Sequence, residues 1–300
     1  METVVSIKTA RLRSILVVLT FFLVVAVPDT TAGQCVSQTC APQPKQVSCP
    51  SNSCKYNVEL DPGHGGTDPG SVNTMHAVNE SNVNLWVTRV AVDRLTKYTC
   101  NYIYTTRCND ITWSRPQRVA KANSDDADIM VSIHHDASSN PNTQGTETIF
   151  CNDNSNWSTF QPLFTYLAED IQGSLLRACG YTNRGCKDDC NANVDPVCNG
   201  NPVGRCHLEI PRTAGMPTVI GEASFISQNA EAALFQECSS HTVTEGHAYY
   251  EGIQQFLSGF SCTPILPGSF IATAGETSVA LQWEVYDPAP SEQYRVLRGL

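Results

Sequence analysis

Basic residues are scarce in this chain of 300 residues: 19 lysines and arginines stand against 29 aspartates and glutamates, so the formal net charge is -10. Proteins that bind nucleic acid or anionic membranes non-specifically need a basic face. The acidic balance argues against both kinds of partner. Charged residues of either sign are also few, at 16%, whereas 41% of residues are hydrophobic. That composition can supply a sizeable core and argues against wholesale disorder.

Long apolar runs are absent after residue 28. Before it, basic residues between positions 8 and 13 precede an apolar stretch over 14–28, and small residues near Ala32 and Gly33 offer a cleavage point. This order is typical of a secretory signal peptide, which we assign to residues 1–33. The apolar stretch is short for a membrane-spanning helix, although a retained anchor is the alternative. We predict a secreted or periplasmic protein with no stable membrane insertion after signal removal.

The paired C-x2-C spacing of structural zinc sites is missing, although the chain has 14 cysteines. All of them follow the predicted signal, and an even number in an exported chain predicts disulfides. The pairing does not follow from the sequence. Cys100 and Cys108 flank one short segment and are candidates to pair. The cysteines from Cys179 to Cys206 are expected to staple one long loop.

Periodic patterns alternate between strands and helices along the chain. Residues 80–98 repeat apolar side chains at helical spacing, and residues 127–135 form a buried strand with three apolar residues on one face. The other predicted strands are 55–61, 101–106, 145–151 and 217–223, and the other predicted helices are 113–123, 159–179, 230–238 and 242–257. Residues 67–79 and 182–205 lack such patterns. The alternation predicts an α/β fold with a twisted, mostly parallel sheet flanked by helices.

The composition and the predicted secondary structure change on both sides of this region. Residues 34–55 form a Cys-rich leader with few large apolar side chains, and residues 263–300 read as a short β-rich tail with strands at 269–273, 278–284 and 293–297. Leu281 to Trp283, followed by Tyr294 to Arg298, resembles the start of a fibronectin type III module. Such a module needs about 100 residues. The tail is therefore a partial module or a different structure.

Four side chains with metal-binding or acid–base chemistry stand at comparable places in this pattern. His64 follows the first strand, Glu80 opens the first helix, His134 ends the central strand, and Glu222 lies near the end of the strand at 217–223. Because the carboxyl ends of parallel strands share one rim, these groups can converge. Two histidines and a carboxylate with an open fourth position are typical of catalytic zinc. A further carboxylate can take a proton from water and pass it to a leaving amine.

Each of these residues also has an ordinary explanation. Glu80 would stabilise a helix N-terminus in any protein. His134 and His135 could simply close a strand. Glu222 is different, because a lone carboxylate in an apolar run is costly unless it has a function.

The motifs in their order resemble the zinc-dependent N-acetylmuramoyl-L-alanine amidases of the amidase-3 type. The likeness covers about residues 56–260, and we assign 56–262 as the catalytic domain. Its motifs are Leu60 to Gly66, Glu80, Thr106-Arg107, Arg118 to Asn123, Ala127 to His134, and Met216 to Ser227. The resemblance implies that His64, Glu80 and His134 bind Zn2+, that Glu222 is the catalytic acid/base, and that the substrate is peptidoglycan.

Two features depart from that family. The residue after the second histidine is usually small, and here it is His135, which leaves open which of the two binds zinc. The segment from Thr182 to Arg205 has no counterpart in the simplest members. Competing hypotheses are a non-catalytic wall-binding protein on the same scaffold and a zinc peptidase that cuts stem peptides.

The same segment raises the possibility of calcium. Asp189, Asn191, Asn193 and Asp195 place oxygen side chains at alternate positions, as calcium loops do. The rest of the EF-hand pattern fails, because Val194 stands where that pattern needs glycine. A polar turn shaped by disulfides is the simpler explanation.

Overall fold

A computed structural model describes residues 45, 47–49, 53–151, 161–189, 206–237, 239–260, 270–274 and 279–283. The predicted signal, most of the leader, the possible calcium loop after Asp189 and the strand at 293–297 lie outside these residues. The chain divides into one unit of residues 31–258 and a second formed by 1–30 and 259–300.

The elements of residues 31–258 follow in chain order: β1 (Asn57–Pro62), β2 (Val72–Asn73), β3 (Val78–Asn79), α1 (Glu80–Tyr98), β4 (Tyr102–Thr105), α2 (Arg115–Ser124), β5 (Ile129–Asp136), β6 (Thr146–Phe150), α3 (Gln161–Cys179), β7 (Asn183–Asp188), α4 (Glu209–Thr213), β8 (Thr218–Phe225), α5 (Asn229–Ala232) and α6 (Ser240–Leu257). In the other unit, β9 (Phe270–Ala274) and β10 (Val279–Trp283) pair as an antiparallel hairpin. These two strands overlap the predicted strands of the β-rich tail.

Six strands form one sheet in the order β4-β1-β5-β8-β6-β7. The first four are mutually parallel, β6 is antiparallel to β8, and β7 is parallel to β6. This arrangement confirms the predicted α/β class with a mostly parallel sheet.

Helices pack on opposite faces of β5 because its side chains alternate. Ile129, Val131 and Ile133 belong to the main core, to which α1, α3 and α6 contribute, whereas Met130 belongs to a smaller core shared with α2 and α4. His134 follows Met130 in the alternation, and His135 follows Ile133. The two consecutive histidines therefore point to different sides of the sheet.

The prediction that residues 182–205 are irregular is wrong for the first part of the segment. Residues 183–188 form β7, which pairs in parallel with β6 at the edge of the sheet. Its sequence, Asn-Arg-Gly-Cys-Lys-Asp, lacks the apolar alternation of a half-buried strand, so the pairing comes from its neighbour. The predicted helix over 230–238 is also wrong in extent, since α5 ends at Ala232.

The disulfide predictions are partly wrong. Cys100 pairs with Cys49 rather than with Cys108, and Cys206 pairs with Cys151 rather than within its own segment. Cys54 and Cys108 are also disulfide-bonded. Cys179 and Cys186 are free thiols. The Cys49–Cys100 and Cys151–Cys206 bridges therefore connect distant parts of the chain, and the predicted disulfides of Cys190 and Cys198 lie outside the described residues.

Candidate metal centre

Three side chains named from the sequence meet near the carboxyl ends of β1 and β5. Glu80 Oε1 lies 3.1 Å from His64 Nε2 and 2.9 Å from His134 Nδ1. The two imidazole rings approach edge to face, with centroids 4.9 Å apart. One nitrogen from each histidine and one carboxylate oxygen thus converge within 4.8 Å of one another.

The ring of His64 is oriented from its other side. Its Nδ1 lies 2.8 Å from Asp68 Oδ2. In the neutral imidazole, Nδ1–H then donates to Asp68, and the lone pair of Nε2 faces the centre. A carboxylate behind a ligating histidine is a common arrangement at metal sites, because it fixes the tautomer.

Two buried arginines hold the backbone around His64. Arg107 donates from Nε to Pro62 O (2.9 Å) and from Nη2 to Gly63 O (2.8 Å). Arg118 donates to Pro62 O (2.7 Å) and His64 O (2.6 Å). Both arginines lie in motifs noted in the sequence, but reasoning from the sequence gave them no role. The sequence cannot indicate that a guanidinium binds main-chain carbonyls, because every residue has such a carbonyl.

Two glycines keep the space around the centre open. A Cβ on Gly63 would lie 2.1 Å from His134 Cε1, and a Cβ on Gly70 would lie 2.5 Å from Glu80 Oε2. Real Cβ atoms do not approach other atoms so closely. The histidine and the carboxylate can therefore take these positions only because both residues are glycine.

Glu222 lies beside the three side chains on the neighbouring strand. It pairs in register with His134 across β5 and β8 and with Glu147 across β6 and β8. Its Oε2 is buried and lacks a hydrogen-bond partner among the described residues. Burial, together with the negative charges of Glu80, Asp136 and Glu147, raises the pKa of Glu222 well above its usual value.

Glu80 and His64 each favour the charged form of the other. Burial alone would raise the pKa of Glu80, but hydrogen bonds and charges from His134 and His64 lower it below its usual value. Burial alone would lower the pKa of His64, but Glu80 and Asp68 raise it. Glu80 is therefore a carboxylate that attracts positive charge.

The structure separates the roles of the two consecutive histidines. His135 is buried, with Nδ1 2.7 Å from Asn84 Oδ1 and Nε2 2.9 Å from Glu245 Oε1. Both of its ring nitrogens are therefore occupied away from Glu80. His134 presents Nδ1 to the centre and is the better candidate ligand.

The donor set suits a zinc ion. Two imidazole nitrogens and one carboxylate oxygen are the ligand types of catalytic zinc sites that keep a fourth position open. The unpartnered Oε2 of Glu222 adds a polar group at the same rim.

Comparison with known proteins identifies the family to which this geometry belongs. The family model for N-acetylmuramoyl-L-alanine amidase (Amidase_3) matches residues 58–255. An endolysin of Bacillus phage SPP1 is 30% identical over 203 residues, which cover 67% of this chain and 66% of the endolysin. The amidase AmiC of Neisseria meningitidis is 27% identical, covering 66% of this chain and 51% of AmiC. The chain thus spans between half and two thirds of these two relatives.

A solved structure agrees with the sequence matches. The catalytic domain of CwlV, an N-acetylmuramoyl-L-alanine amidase from Bacillus (Paenibacillus) polymyxa var. colistinus, is 26% identical, with a TM-score of 0.54. The alignment covers 67% of this chain and 98% of that domain. Within the described part of the chain, no helix combines the length and apolarity needed to span a membrane.

Proposed function

The chain belongs to the N-acetylmuramoyl-L-alanine amidase family, and from that premise we propose that it is a zinc-dependent hydrolase of the amide bond between N-acetylmuramic acid and L-alanine in peptidoglycan. The observation that carries the proposal is the convergence of His64, Glu80 and His134 beside Glu222. The name of one relative, the N-acetylmuramoyl-L-alanine amidase AmiC, supports the substrate.

We assign His64 Nε2, Glu80 Oε1 and His134 Nδ1 as the zinc ligands. When bound, zinc supplies a Lewis acid that polarises the scissile carbonyl and lowers the pKa of water. Asp68 orients the first ligand, and the glycines at 63 and 70 leave room for the other two.

Glu222 is assigned the proton transfers. In its ionised form, its carboxylate takes a proton from the water molecule that attacks the lactyl carbonyl, and the resulting carboxyl delivers that proton to the alanine nitrogen as the C–N bond breaks. The products are a lactyl carboxylate and a free amino terminus. A raised pKa favours the second of these transfers, because the carboxyl must hold the proton until it delivers it to the nitrogen.

The remaining assignments concern the ends of the chain. Residues 1–33 act as an export signal, which places the enzyme outside the cytoplasm with its substrate. Disulfides such as Cys49–Cys100 fit an exported protein. The segment 263–300, which contains the β9–β10 hairpin, is assigned as a fibronectin type III-like segment.

Digestion of purified peptidoglycan tests the reaction. We expect new amino-terminal alanine with intact glycan strands. Cleavage within the stem would indicate a peptidase instead, and binding without products would indicate a non-catalytic wall-binding protein.

Glu222→Gln tests the assigned acid/base, because glutamine keeps the shape but cannot carry the proton. Activity should fall more than about 100-fold while bound zinc is retained. Glu237→Gln, at an exposed glutamate, is the control and should leave activity unchanged. Activity of Glu222→Gln within a few-fold of wild type would contradict the assignment.

A further inference from the structure

A chain of buried hydrogen bonds lies behind the carboxylate of Glu80. The amide of Asn84, one helical turn further along α1, is 3.3 Å from Glu80 Oε1 and 3.2 Å from Gly63 O through Nδ2. Its Oδ1 lies 2.7 Å from His135 Nδ1. The main-chain nitrogen of His135 also donates to Glu80 Oε1, at 3.3 Å.

Counting donors and acceptors fixes the direction of this chain. Glu80 Oε1 and Gly63 O can only accept, so the NH2 group of Asn84 must face them and Oδ1 must face His135. His135 therefore donates from Nδ1. A flipped amide would set two pairs of acceptors against each other.

Glu245 on α6 closes the chain from behind. Its Oε1 is 2.9 Å from His135 Nε2, and its Oε2 accepts from Tyr181 OH at 2.8 Å. Tyr181 also hydrogen-bonds His241. Asn84, His135 and Glu245 are all almost completely buried, at 0%, 1% and 0% exposure. The chain of hydrogen bonds behind Glu80 thus runs from Asn84 on α1 through His135 on β5 to Glu245 on α6.

We propose that Asn84 and the His135–Glu245 pair are positioning residues that aim the Glu80 carboxylate at the zinc ion. The proposal rests on the proposed function. Replacing a buried pair of this kind with apolar residues is often neutral or stabilising, so a gain in stability does not account for its presence. A positioning role does, because partners behind a metal ligand set its orientation and affinity.

Zinc affinity measured by chelator competition is the first test, with Asn84→Leu as the variant. Leucine keeps the size of asparagine but removes the hydrogen bonds to Glu80 and Gly63. We expect zinc binding to weaken by about 10–100-fold. The absorption spectrum of the cobalt-substituted protein should change as well, since it reports ligand geometry.

Gln172→Leu is the matched control. Gln172 is another buried amide with three hydrogen bonds, to Thr146 O, Asn183 Oδ1 and Thr148 Oγ1, and it belongs to α3. The Gln172→Leu substitution should lower the melting temperature of the metal-free protein without changing its zinc affinity or its cobalt spectrum. Equal zinc affinities of wild type, Asn84→Leu and Gln172→Leu would overturn the proposal.

A double variant covers the case in which Asn84→Leu does not fold. His135→Phe with Glu245→Leu removes the buried pair but keeps an aromatic ring against Phe235. We expect a folded protein with weakened zinc binding, and wild-type affinity would contradict the proposal. Wild-type zinc affinity in the double variant refutes only the positioning role if the wild-type protein itself binds zinc tightly and releases alanine termini. If wild type does neither, the proposed function fails.

Discussion

The backbone at His64 adopts a conformation that few residues other than glycine take up. Its φ is 59°, in the left-handed region. Strain of this kind persists only where the surroundings impose it. Here Arg118 binds the carbonyl of His64 and Asp68 binds its ring. The first candidate ligand is therefore preorganised before any metal arrives.

His64→Ala should abolish tight zinc binding and activity together, because it removes one of three proposed protein ligands. Metal analysis and peptidoglycan digestion measure the two effects. His76→Ala, at an exposed histidine, should change neither. Full zinc content in the His64→Ala protein would refute the ligand assignment.

Asp61 stabilises the backbone around His64 through Arg118, which binds both residues. Its buried carboxylate accepts hydrogen bonds from Arg118 Nη1 (2.7 Å), Ser132 Oγ (2.6 Å) and Thr106 Oγ1. Burial alone would raise the pKa of Asp61, but Arg118 and the two hydroxyls lower it below its usual value. Because the folded pKa is below the unfolded one, the stabilisation is complete above the unfolded pKa and disappears as the pH falls through the folded pKa.

We expect Asp61→Asn to lower the free energy of unfolding at pH 7 by about 3–5 kcal/mol, since it leaves the charge of Arg118 buried and unpaired. The deficit relative to wild type should shrink as the pH falls below about 4, where the wild-type carboxylate begins to lose its advantage. Urea unfolding at pH 7 and at pH 3 measures this. Glu251→Gln, which breaks an exposed pair with His247, should have little effect. A deficit equal at both values of pH would show that Asp61 acts by shape alone.

Sequence reasoning named the side chains that meet at the centre but not those that hold them there. His64, Glu80 and His134 carry their chemistry in their residue types and stand at strand ends and a helix start. Asn84 and Arg107 act through main-chain carbonyls and a neighbouring carboxylate, so nothing in their residue type announces the role. Their partners became identifiable only once the fold brought distant segments together.

Among the elements, α1 follows its prediction and β7 does not. Helix α1 spans Glu80–Tyr98 as predicted, because its apolar residues repeat at helical spacing and Asn79 caps its first turn. Strand β7 depends on pairing with β6, which the local sequence does not encode. The antiparallel direction of β6 likewise follows from its place beside β8.

At the level of the element, we predict that alanine has opposite effects on stability at two helical glycines. A Cβ on Gly246 of α6 would lie 2.5 Å from Val90 Cβ and 2.7 Å from Val87 O of α1. Gly246→Ala should force these helices apart and destabilise the protein by about 1–3 kcal/mol. A Cβ on Gly173 of α3 meets only the flexible end of Arg177, so Gly173→Ala should stabilise by up to about 1 kcal/mol.

Urea unfolding of both variants measures the contrast. Because each exchanges the same residue types inside a helix, differences in helix propensity cancel and only packing separates them. Equal effects of the two substitutions would show that α1 and α6 can separate without cost.

At the scale of the whole molecule, hydrophobic packing and disulfides act on different parts of the chain. The main core joins the sheet to α1, α3 and α6. Cys49–Cys100 fastens the segment before β1 to the residues after α1, and Cys151–Cys206 joins the residue after β6 to the segment before α4. Because pairing depends on which segments the fold brings together, the cysteine spacing alone could not predict it.

Removing Cys151–Cys206 should therefore weaken the molecule without dismantling its core. This bridge closes a loop of sequence separation 55, and both cysteines are fully buried. The chain-entropy model gives about 4 kcal/mol for a loop of this size. We expect Cys151→Ala with Cys206→Ala to lower the free energy of unfolding by about that amount in urea. Cys49→Ala with Cys100→Ala, which opens a loop of separation 51, is the matched control and should give a similar loss. Zinc affinity is a separate measurement on the Cys151/Cys206 variant. It should stay at the wild-type value, because neither cysteine contacts the three proposed ligands. A loss of zinc binding that exceeds the loss of stability would show instead that this bridge shapes the metal centre.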